Sequence, residues 1–301
     1  MSLLCALILD ALMGEPRWLW SRLPHPAVVM GKIIAKASNR LNRAPGQKIK
    51  GTVLVISLVI GGGILGALLA ELGALAEIVV ATILLAQKSL VQHVQDVAQS
   101  LRLSLSAGRR SVAMIVGRDT AQMDYAQVAR GAIESAAENF SDGVVAPVFW
   151  FAIGGLPGLI IYKVINTADS MVGYKNKTYV DFGWAAARLD DMINWVPARM
   201  SAFGIWLLTG CATPWATLAR DAKLHRSPNA GWPEAAMAHA LGISLSGPRS
   251  YEGKMQDFSW VNALGRKDIG PVDIDKAIRI LWVTWSGMLA IVASVTLVFF
   301  L

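Results

Sequence analysis

The sequence is poor in the residues that stabilise or functionalise many small soluble domains. Only two cysteines and four histidines occur in 301 residues, and 16% of the residues are charged, against about 25% in an average soluble domain. Cys5 and Cys211 both lie in apolar runs without paired spacing. This pattern argues against a disulfide framework, a cysteine-based zinc site and a dithiol redox motif.

Several familiar motifs are also missing. The chain has no Gly-x4-Gly-Lys-Ser/Thr sequence, and no Ser-His-Asp order or nucleophile-elbow motif is visible. The glycine-rich run at 61–66 lies inside a long apolar stretch. There it favours close helix packing over phosphate binding. A P-loop nucleotide site is therefore not expected.

What the chain does contain is hydrophobic sequence. Hydrophobic residues make up 54% of it, and the mean hydropathy is +0.46. A membrane-spanning helix needs about 20 such residues. The apolar segments lie at about residues 2–13, 52–70, 72–86, 144–165, 200–212 and 280–301. We predict an all-α, polytopic membrane protein of the cell (inner) membrane, with residues 1–301 forming one integral-membrane domain in contact with the lipid bilayer.

The polar segments separate the apolar ones, and two of them are strongly basic. They lie at residues 31–51, 87–143, 166–191 and 213–276. The first carries six Lys and Arg and no acid. The positive-inside rule therefore places the first and last on the cytoplasmic side, where we expect helical loops. Without interleaved aromatic residues or a nucleic-acid-binding signature, we expect no nucleic acid as a partner.

Two of the apolar segments contain helix-breaking residues. Gly154-Gly155-Leu156-Pro157-Gly158 interrupts 144–165 in its middle, and Pro197 with Arg199 interrupts the approach to 200–212. Broken helices occur at membrane depth where they are buried in protein or line a cavity. We therefore predict a re-entrant geometry in which both segments are broken or shallow and 166–191 is accessible from the cytoplasm.

A helix is predicted over residues 121–140, with Asp119 or Thr120 as its N-cap. Gly143 and Pro147 indicate where it ends.

This helix carries carboxylates at four-residue spacing. Arg130, Glu134 and Glu138 share one face, and Asp142 continues it if the last turn is regular. One interpretation is a solvated face with an Arg130–Glu134 ion pair. The other is a Mg²⁺ site formed by Glu134, Glu138 and Asp142 beside Asn139.

A second group of polar residues lies at the edges of apolar segments. It comprises Asn166, Asp169, Asp181, Arg188, Asp190 and Asp191, with Lys175 and Asn176 as phosphate-binding candidates. The alternatives are helix capping by Asp169 and Ser170 and an Arg188–Asp191 ion pair. His25, between two prolines, is a site candidate that could equally cap or pack.

Several sequence blocks together resemble one known family. The blocks are Gly14-Glu15-Pro16-Arg17, Leu23-Pro24-His25-Pro26, the residues 116–120, 134–147, 163–176 and 181–191, and Ser227-Pro228-Asn229-Ala230-Gly231-Trp232-Pro233-Glu234. In this order they resemble the CbiB/CobD family, adenosylcobinamide-phosphate synthase, over nearly the whole chain. Glu15 stands where Asp is commoner, and Thr167-Ala168 stands where a Leu often occupies the second position.

The resemblance implies a membrane amide ligase of cobalamin biosynthesis. Such an enzyme joins adenosylcobyric acid to (R)-1-amino-2-propanol or its O-phosphate and uses ATP and Mg²⁺. It leaves open a homo-oligomer and an association with other corrinoid-pathway enzymes.

On this basis each candidate residue receives a role. Glu134, Glu138 and Asp142 are assigned to the metal, and Asp181, Arg188, Asp190 and Asp191 to catalysis, with Asp190 or Asp191 as the base or as a second metal contact. Cofactor binding is assigned to His25, Arg118, Asp119, Asn139, Asn166, Asp169, Lys175, Asn176, Asn229 and Glu234. The corrin would fit a cavity lined by Trp184, Trp195 and Trp232, although tryptophans at membrane interfaces also serve as anchors.

Two other classes of function remain as alternatives. A transporter would use broken helices and intramembrane polar residues, but it predicts inverted repeats, and none is visible. A non-catalytic membrane scaffold for corrinoid-pathway enzymes gives no reason for so many acids between residues 118 and 191.

Overall fold

The computed structural model describes residues 1–251 and 253–300, and over these it is predominantly helical. The α-helices, in chain order, are α1 Ser2–Met13, α2 Arg17–Trp20, α3 Pro26–Leu41, α4 Gln47–Ala70, α5 Ala74–Leu84, α6 Gln87–Leu103, α7 Leu105–Val112, α8 Tyr125–Phe140, α9 Ala146–Val172, α10 Trp184–Ile193, α11 Trp195–Leu208, α12 Trp215–Ala222, α13 Gly231–Leu241 and α14 Pro271–Phe300. A π-helical turn, Ser141–Val145, follows α8.

Four short strands interrupt the helical pattern between α13 and α14. They are β1 Leu245–Ser246, β2 Arg249–Tyr251, β3 Lys254–Gln256 and β4 Trp260–Val261. β1 pairs with β4 and β2 with β3, both antiparallel. These strands lie in the polar segment 213–276, which we predicted to be helical.

The chain divides into two compact units. The first unit comprises Met1–Ala86 and Ala146–Trp195, and the second comprises Gln87–Val145 and Val196–Leu301. Each unit is thus assembled from two separate stretches of sequence. The single membrane domain expected from the sequence stays a prediction, because interleaved units need not fold independently.

Among the residues that the structure describes, four segments are long and apolar enough to cross a membrane. They are Gln47–Ala70, Ala74–Leu103, Tyr125–Val172 and Pro271–Val298. The predicted all-α, polytopic membrane fold is confirmed. The last apolar segment, predicted to reach residue 301, is described as α14 up to Phe300, and Leu301 lies outside the described residues.

In the first unit, α4 packs closely on α9 through its glycines. An added Cβ at Gly62 would lie 3.5 Å from the Ile160 side chain, and one at Gly66 would lie 2.5 Å from the Pro157 Cα. Gly66 therefore has no room for a side chain. The predicted packing role of the 61–66 glycine run is confirmed.

The break predicted in segment 144–165 is present in α9. Gly154 has φ −126° and ψ 15°, and Gly155 has φ 57° and ψ −148°, so neither residue is helical. A Cβ at Gly158 would collide with the carbonyl oxygen of Trp150. Two residues eight positions apart in a straight helix are about 12 Å apart. The chain therefore bends sharply at the glycine pair, and the prediction of a broken helix here is confirmed.

The basic segment 31–51 is mostly helical. α3 covers Pro26–Leu41 and packs Ile34 into a hydrophobic core with Leu54 of α4 and Phe182. A Pro at the first helical position and the His25 cap explain where α3 begins. The helical character predicted for this polar segment is thus confirmed for residues 31–41.

In the second unit, α8 packs against α6, α13 and α14. It begins at Tyr125, where Asp124 and Gln127 form a capping box. The predicted start at residue 121 with Asp119 or Thr120 as N-cap is wrong, because the Asp124 carboxylate accepts from the Gln127 N–H at 2.7 Å. The helix ends at Phe140, before the π-helical turn that contains Gly143. Pro147 does not end it, since this proline lies in the first turn of α9.

Helix α11 differs from its prediction in one respect. It starts at Trp195 and continues through Pro197 to Leu208, so the proline occupies the first turn without breaking the helix. Its 14 residues extend over about 21 Å at 1.5 Å per residue. This is shorter than the hydrocarbon core of a bilayer, about 30 Å, and agrees with the prediction of a shallow segment.

Candidate functional site

A buried carboxylate on α8 organises the polar centre of the second unit. Glu134 is 4% exposed. Its Oε1 accepts a hydrogen bond from the Ser246 N–H at 2.6 Å, and its Oε2 accepts from Arg118 at 2.7 Å and from Arg249 at 3.2 Å. Arg249 also donates to the Ser246 hydroxyl at 2.7 Å. Both oxygens of Glu134 are therefore engaged in holding two arginines and the turn after β1.

These arginines face a cavity of about 540 Å³. It is lined by residues of the 118–130 segment and of the strand region, among them Arg118, Arg130 and Arg249. Arg130 donates to the carbonyl oxygens of Ser244 at 3.2 Å and of Lys267 at 3.0 Å. It does not form the predicted ion pair with Glu134, because Arg118 and Arg249 both donate to Oε2 of that carboxylate and the Ser246 N–H donates to Oε1. The three arginines carry more positive charge than Glu134 and Asp119, which also lines the cavity, together neutralise.

One wall of this cavity is the β2–β3 hairpin, and Asp119 fixes it in place. The Asp119 Oδ2 accepts from the Ser250 hydroxyl at 2.6 Å and from the Gly253 N–H at 2.8 Å, and its own N–H donates to the Ser250 carbonyl at 3.1 Å. Ser250 and Gly253 line the cavity. Asp119, predicted to bind a cofactor, therefore lies at the cavity and shapes its wall.

Neighbouring carboxylates keep Arg249 charged. Burial alone would lower the pKa of its guanidinium, but Glu134 and Glu234 oppose this, and the pKa lies above its ordinary value. The Arg249 guanidinium also lies over the Phe258 ring, with 4.9 Å between the guanidinium carbon and the ring centre, and this adds a cation–π interaction. Arg249 is thus a permanent positive charge in the cavity wall.

A second buried pair lies in the same unit. Glu234 of α13 is 2% exposed, and its Oε1 lies 3.6 Å from the His225 Nε2. The His225 Nδ1 accepts from the Ser227 N–H at 3.1 Å, so the proton of the neutral imidazole lies on Nε2. Burial, with Arg249 nearby, lowers the pKa of His225 to about 4. Burial and the acids Glu134 and Glu138 raise the pKa of Glu234.

The rest of the predicted carboxylate stripe has a different environment. Glu138 and Asn139 are exposed, and Asp142 is half-buried in the π-helical turn. The Asn139 amide donates to the Ser135 carbonyl at 2.9 Å. Over the described part of the chain, no cluster of three or more His, Cys, Asp or Glu side chains could hold a metal ion. The metal role of Glu134, Glu138 and Asp142 stays a prediction.

The first unit contains a separate acidic cluster at the end of α9 and on α10. The Asp190 Oδ1 accepts from the Asn166 amide at 3.2 Å. Burial raises the pKa of Asp190 to about 7, and the neighbouring carboxylate of Asp169 adds to this. Burial also raises the pKa of Asp191, although Lys175 and Arg188 act against it. Asp190 can therefore exchange a proton near neutral pH.

The remaining predicted residues of this region are more accessible. Lys175, Asn176, Asp181 and Arg188 are exposed. The Asn176 side chain accepts from the backbone N–H groups of Thr178 and Tyr179, at 3.1 and 3.0 Å, and so stabilises its own turn.

The capping alternative for Asp169 and Ser170 is wrong, because both lie inside α9. The Ser170 hydroxyl donates to the Asn166 carbonyl, one turn earlier in the helix, at 2.9 Å.

His25 has a capping role. Its Nδ1 accepts from the Ala27 N–H at 3.2 Å at the start of α3, and its ring packs edge-on against Trp20 at 4.6 Å between ring centres. The capping and packing alternatives are therefore both present.

Two of the three tryptophans predicted to line a corrin cavity, Trp184 and Trp232, contact cations. Trp184 lies 4.0 Å below the Lys48 ammonium, and Trp232 lies 4.6 Å below the Arg199 guanidinium. The Asn229 side-chain oxygen accepts from Arg199 at 3.4 Å. Asn229 and Trp232 thus belong to one buried cluster around Arg199 in the second unit.

Sequence reasoning did not identify Arg249 and His225 as site residues. Arg249 is 115 residues from its partner Glu134 and carries no local spacing signal. His225 lies two residues before the Ser227–Glu234 block, and this proximity is the signal that could have pointed to it.

Together, the fold and the site define a helical membrane protein with an arginine-lined cavity in its second unit. The chain matches the family model described as CobD/Cbib protein over residues 3–281. It belongs to this family, which acts in cobalamin biosynthesis.

Curated relatives agree with this assignment over almost the whole length. Proteins named "Cobalamin biosynthesis protein CobD" from Brucella anthropi and Rhizobium meliloti are 46% and 47% identical to the chain. The first alignment covers 97% of this chain and 95% of the relative, and the second covers 95% and 93%. The Rhodobacter capsulatus protein of the same name is 41% identical over 96% of this chain and 95% of its own length. No solved structure matches the chain.

Proposed function

We propose that this protein is an ATP-dependent amide ligase of the cell (inner) membrane, with several membrane passes. It joins the propionate carboxyl of adenosylcobyric acid to (R)-1-amino-2-propanol or its O-phosphate, giving adenosylcobinamide or its phosphate. The observation that carries this proposal is the cavity lined by Arg118, Arg130 and Arg249. Its charge suits the phosphates that this reaction requires.

The cavity fits the phosphates of ATP in both charge and donor chemistry. Arginine donates two parallel hydrogen bonds to phosphate oxygens and stays charged at every relevant pH. Each of the three arginines is held by bonds to protein groups, so little conformational entropy is lost when phosphate binds. Bound ATP would supply the activation of the carboxylate, and the arginines would neutralise its negative charge.

Fewer carboxylates are available to bind Mg²⁺ than the sequence suggested. Mg²⁺ in nucleotide enzymes is held by one or two carboxylates together with waters and phosphates. Glu134 has both oxygens occupied by nitrogen donors, which leaves Glu138 and Asp142 for this role.

The amine nucleophile must lose a proton before it attacks. Asp190, with a pKa of about 7, is the residue of the acidic cluster best suited to accept that proton, because a base works best near the ambient pH. The exposed Lys175 and Arg188 are suited to bind a phosphate on the amine substrate.

The test is to incubate the purified protein in detergent with adenosylcobyric acid, ATP and Mg²⁺. Aminopropanol or aminopropanol phosphate is added in parallel reactions. Amide product and spent nucleotide should form together, and Arg249→Gln should abolish both. Lys254→Gln, which removes an exposed charge from β3 of the same hairpin, is the matched control and should retain activity. Absence of both products from the wild-type reaction would leave the scaffold and transporter alternatives.

A further inference from the structure

Helix α3 presents a basic stripe on its exposed side. Lys32, Lys36 and Arg40 follow one another at four-residue intervals and are all exposed. Residues at this spacing lie on one face of a helix. The opposite face is buried, with Ile34 fully inaccessible and Ser38 at 4% exposure. The helix is therefore seated in the first unit by one side, and the other side is free to bind.

Apolar side chains lie among these basic residues. Val29 is 40% exposed and Ile33 is 55% exposed. On a helical projection Val29 falls between the basic residues Lys36 and Arg40, and Ile33 falls beside Arg40. A purely solvated face has no reason to carry large β-branched residues at these positions. Basic residues flanking exposed apolar residues are typical of helices that lie in the interface of a membrane.

The basic surface continues to the start of a membrane-spanning segment. Lys48 and Lys50 lie in the first turn of α4, which is the candidate span Gln47–Ala70. The Lys48 ammonium lies above the half-exposed Trp184 ring, and tryptophan prefers the headgroup level of a membrane. No Asp or Glu occurs between residues 31 and 51. The charge of this region is thus uniformly positive next to the bilayer.

We infer that the exposed face of α3, together with the start of α4, is a binding site for anionic phospholipid headgroups. The ligand class follows from charge complementarity and from the span that begins six residues after α3 ends. Clusters of four to eight basic residues beside a membrane span bind acidic lipids. A nucleic acid would match the charge, but it would not match the exposed Val29 and Ile33 or the adjacent span. This inference does not depend on the proposed ligase activity.

The experiment measures lipid binding to the full chain in neutral detergent by native mass spectrometry. Phosphatidylglycerol and phosphatidylcholine are titrated separately. The wild-type protein should bind phosphatidylglycerol more tightly, and high salt should reduce the difference. The variant Lys32→Gln/Lys36→Gln/Arg40→Gln should lose on the order of 100-fold in phosphatidylglycerol affinity, since each charge near the surface contributes about five-fold.

Two controls separate this site from general charge effects. Arg110→Gln/Lys223→Gln/Lys254→Gln removes three exposed positive charges from the second unit and should bind phosphatidylglycerol like the wild type. The charge-retaining variant Lys32→Arg/Lys36→Arg/Arg40→Lys should also bind normally, which would exclude a folding defect as the cause of any loss.

Three results would overturn the inference. The first is equal affinity of the wild type for the two lipids, and the second is an unchanged affinity in the α3 variant. The third is competition by a short DNA duplex that displaces phosphatidylglycerol and binds more tightly than the lipid. This result would make the exposed face of α3 a nucleic-acid-binding surface.

Discussion

Replacement of Glu134 by glutamine tests whether this carboxylate has a structural role or a metal-binding role. Glutamine keeps the shape of the side chain but removes the charge that faces Arg118 and Arg249. The side chains of the three residues are 5%, 6% and 12% exposed. Water therefore screens the network very little, and the change leaves two buried guanidinium groups without their counter-charge.

The size of the effect follows from this burial. Removal of one partner from a buried ion pair costs about 3–5 kcal/mol. At roughly 2–3 °C per kcal/mol for a chain of this size, the unfolding midpoint should fall by about 6–15 °C. The Ser246 N–H keeps an oxygen acceptor at position 134, so the lower half of this range is expected. The double variant with Arg249→Gln should be less destabilised than the sum of the single variants.

The assay is thermal unfolding in detergent, followed by tryptophan fluorescence, with ligase activity measured on the same samples. The matched control is Glu138→Gln, one turn along the same helix and exposed. This variant and Asp142→Asn should unfold within about 0.5 kcal/mol of the wild type and, if these residues bind the metal, should lose activity. The reasoning about Glu134 is refuted if Glu134→Gln is no less stable than Glu138→Gln.

Two further predictions concern the first unit. Asp190 has a pKa of about 7 in the folded protein against an ordinary value of 3.8. The folded state therefore binds this proton more tightly than the unfolded state, and the contribution of Asp190 to stability should decline as pH rises from about 4 to about 7. Asp190→Asn should remove this decline when the free energy of unfolding is measured across the same pH range. In the pH profile of ligase activity the variant should lack the rise through pH 7. An activity profile like that of the wild type would exclude Asp190 as the base. In α4, Gly66→Ala should lower the unfolding midpoint because its Cβ would meet the Pro157 backbone. Gly61→Ala in the same helix meets nothing within 4 Å and should gain up to about 1 kcal/mol; equal effects of the two changes would contradict the packing of α4 on α9.

The features that the sequence predicted correctly are those with a local cause. A Gly-Gly-Leu-Pro-Gly run at 154–158 cannot continue a regular helix whatever surrounds it, so the break in α9 follows from the residues themselves. The long apolar runs similarly determine the membrane-spanning segments. The packing role of the glycines follows because small residues in an apolar helix allow a neighbouring helix to approach closely, as Pro157 does at Gly66.

The features that could not be predicted depend on partners far away in sequence. The spacing of Arg130 and Glu134 suits an ion pair, but the Glu134 carboxylate accepts from Arg118, Arg249 and the Ser246 N–H. Arg130 donates to backbone carbonyls instead. Asp119 is a good N-cap residue, yet it binds the β2–β3 hairpin more than 130 residues later. In both cases a local preference is outweighed by a tertiary contact that leaves no periodic signal.

The separation between Glu134 and Arg249 also has a consequence in time. Translation proceeds at about 5–20 residues per second, so the 115 residues between them take roughly 6–23 s to be synthesised. During this interval α8 has Arg118 as its nearby counter-charge, while the Ser246 N–H and Arg249 have not yet been made. The last polar contacts around the arginine-lined cavity therefore form late. A chain stopped before residue 246 would lack the Ser246 N–H and Arg249, which both bind the Glu134 carboxylate in the complete fold.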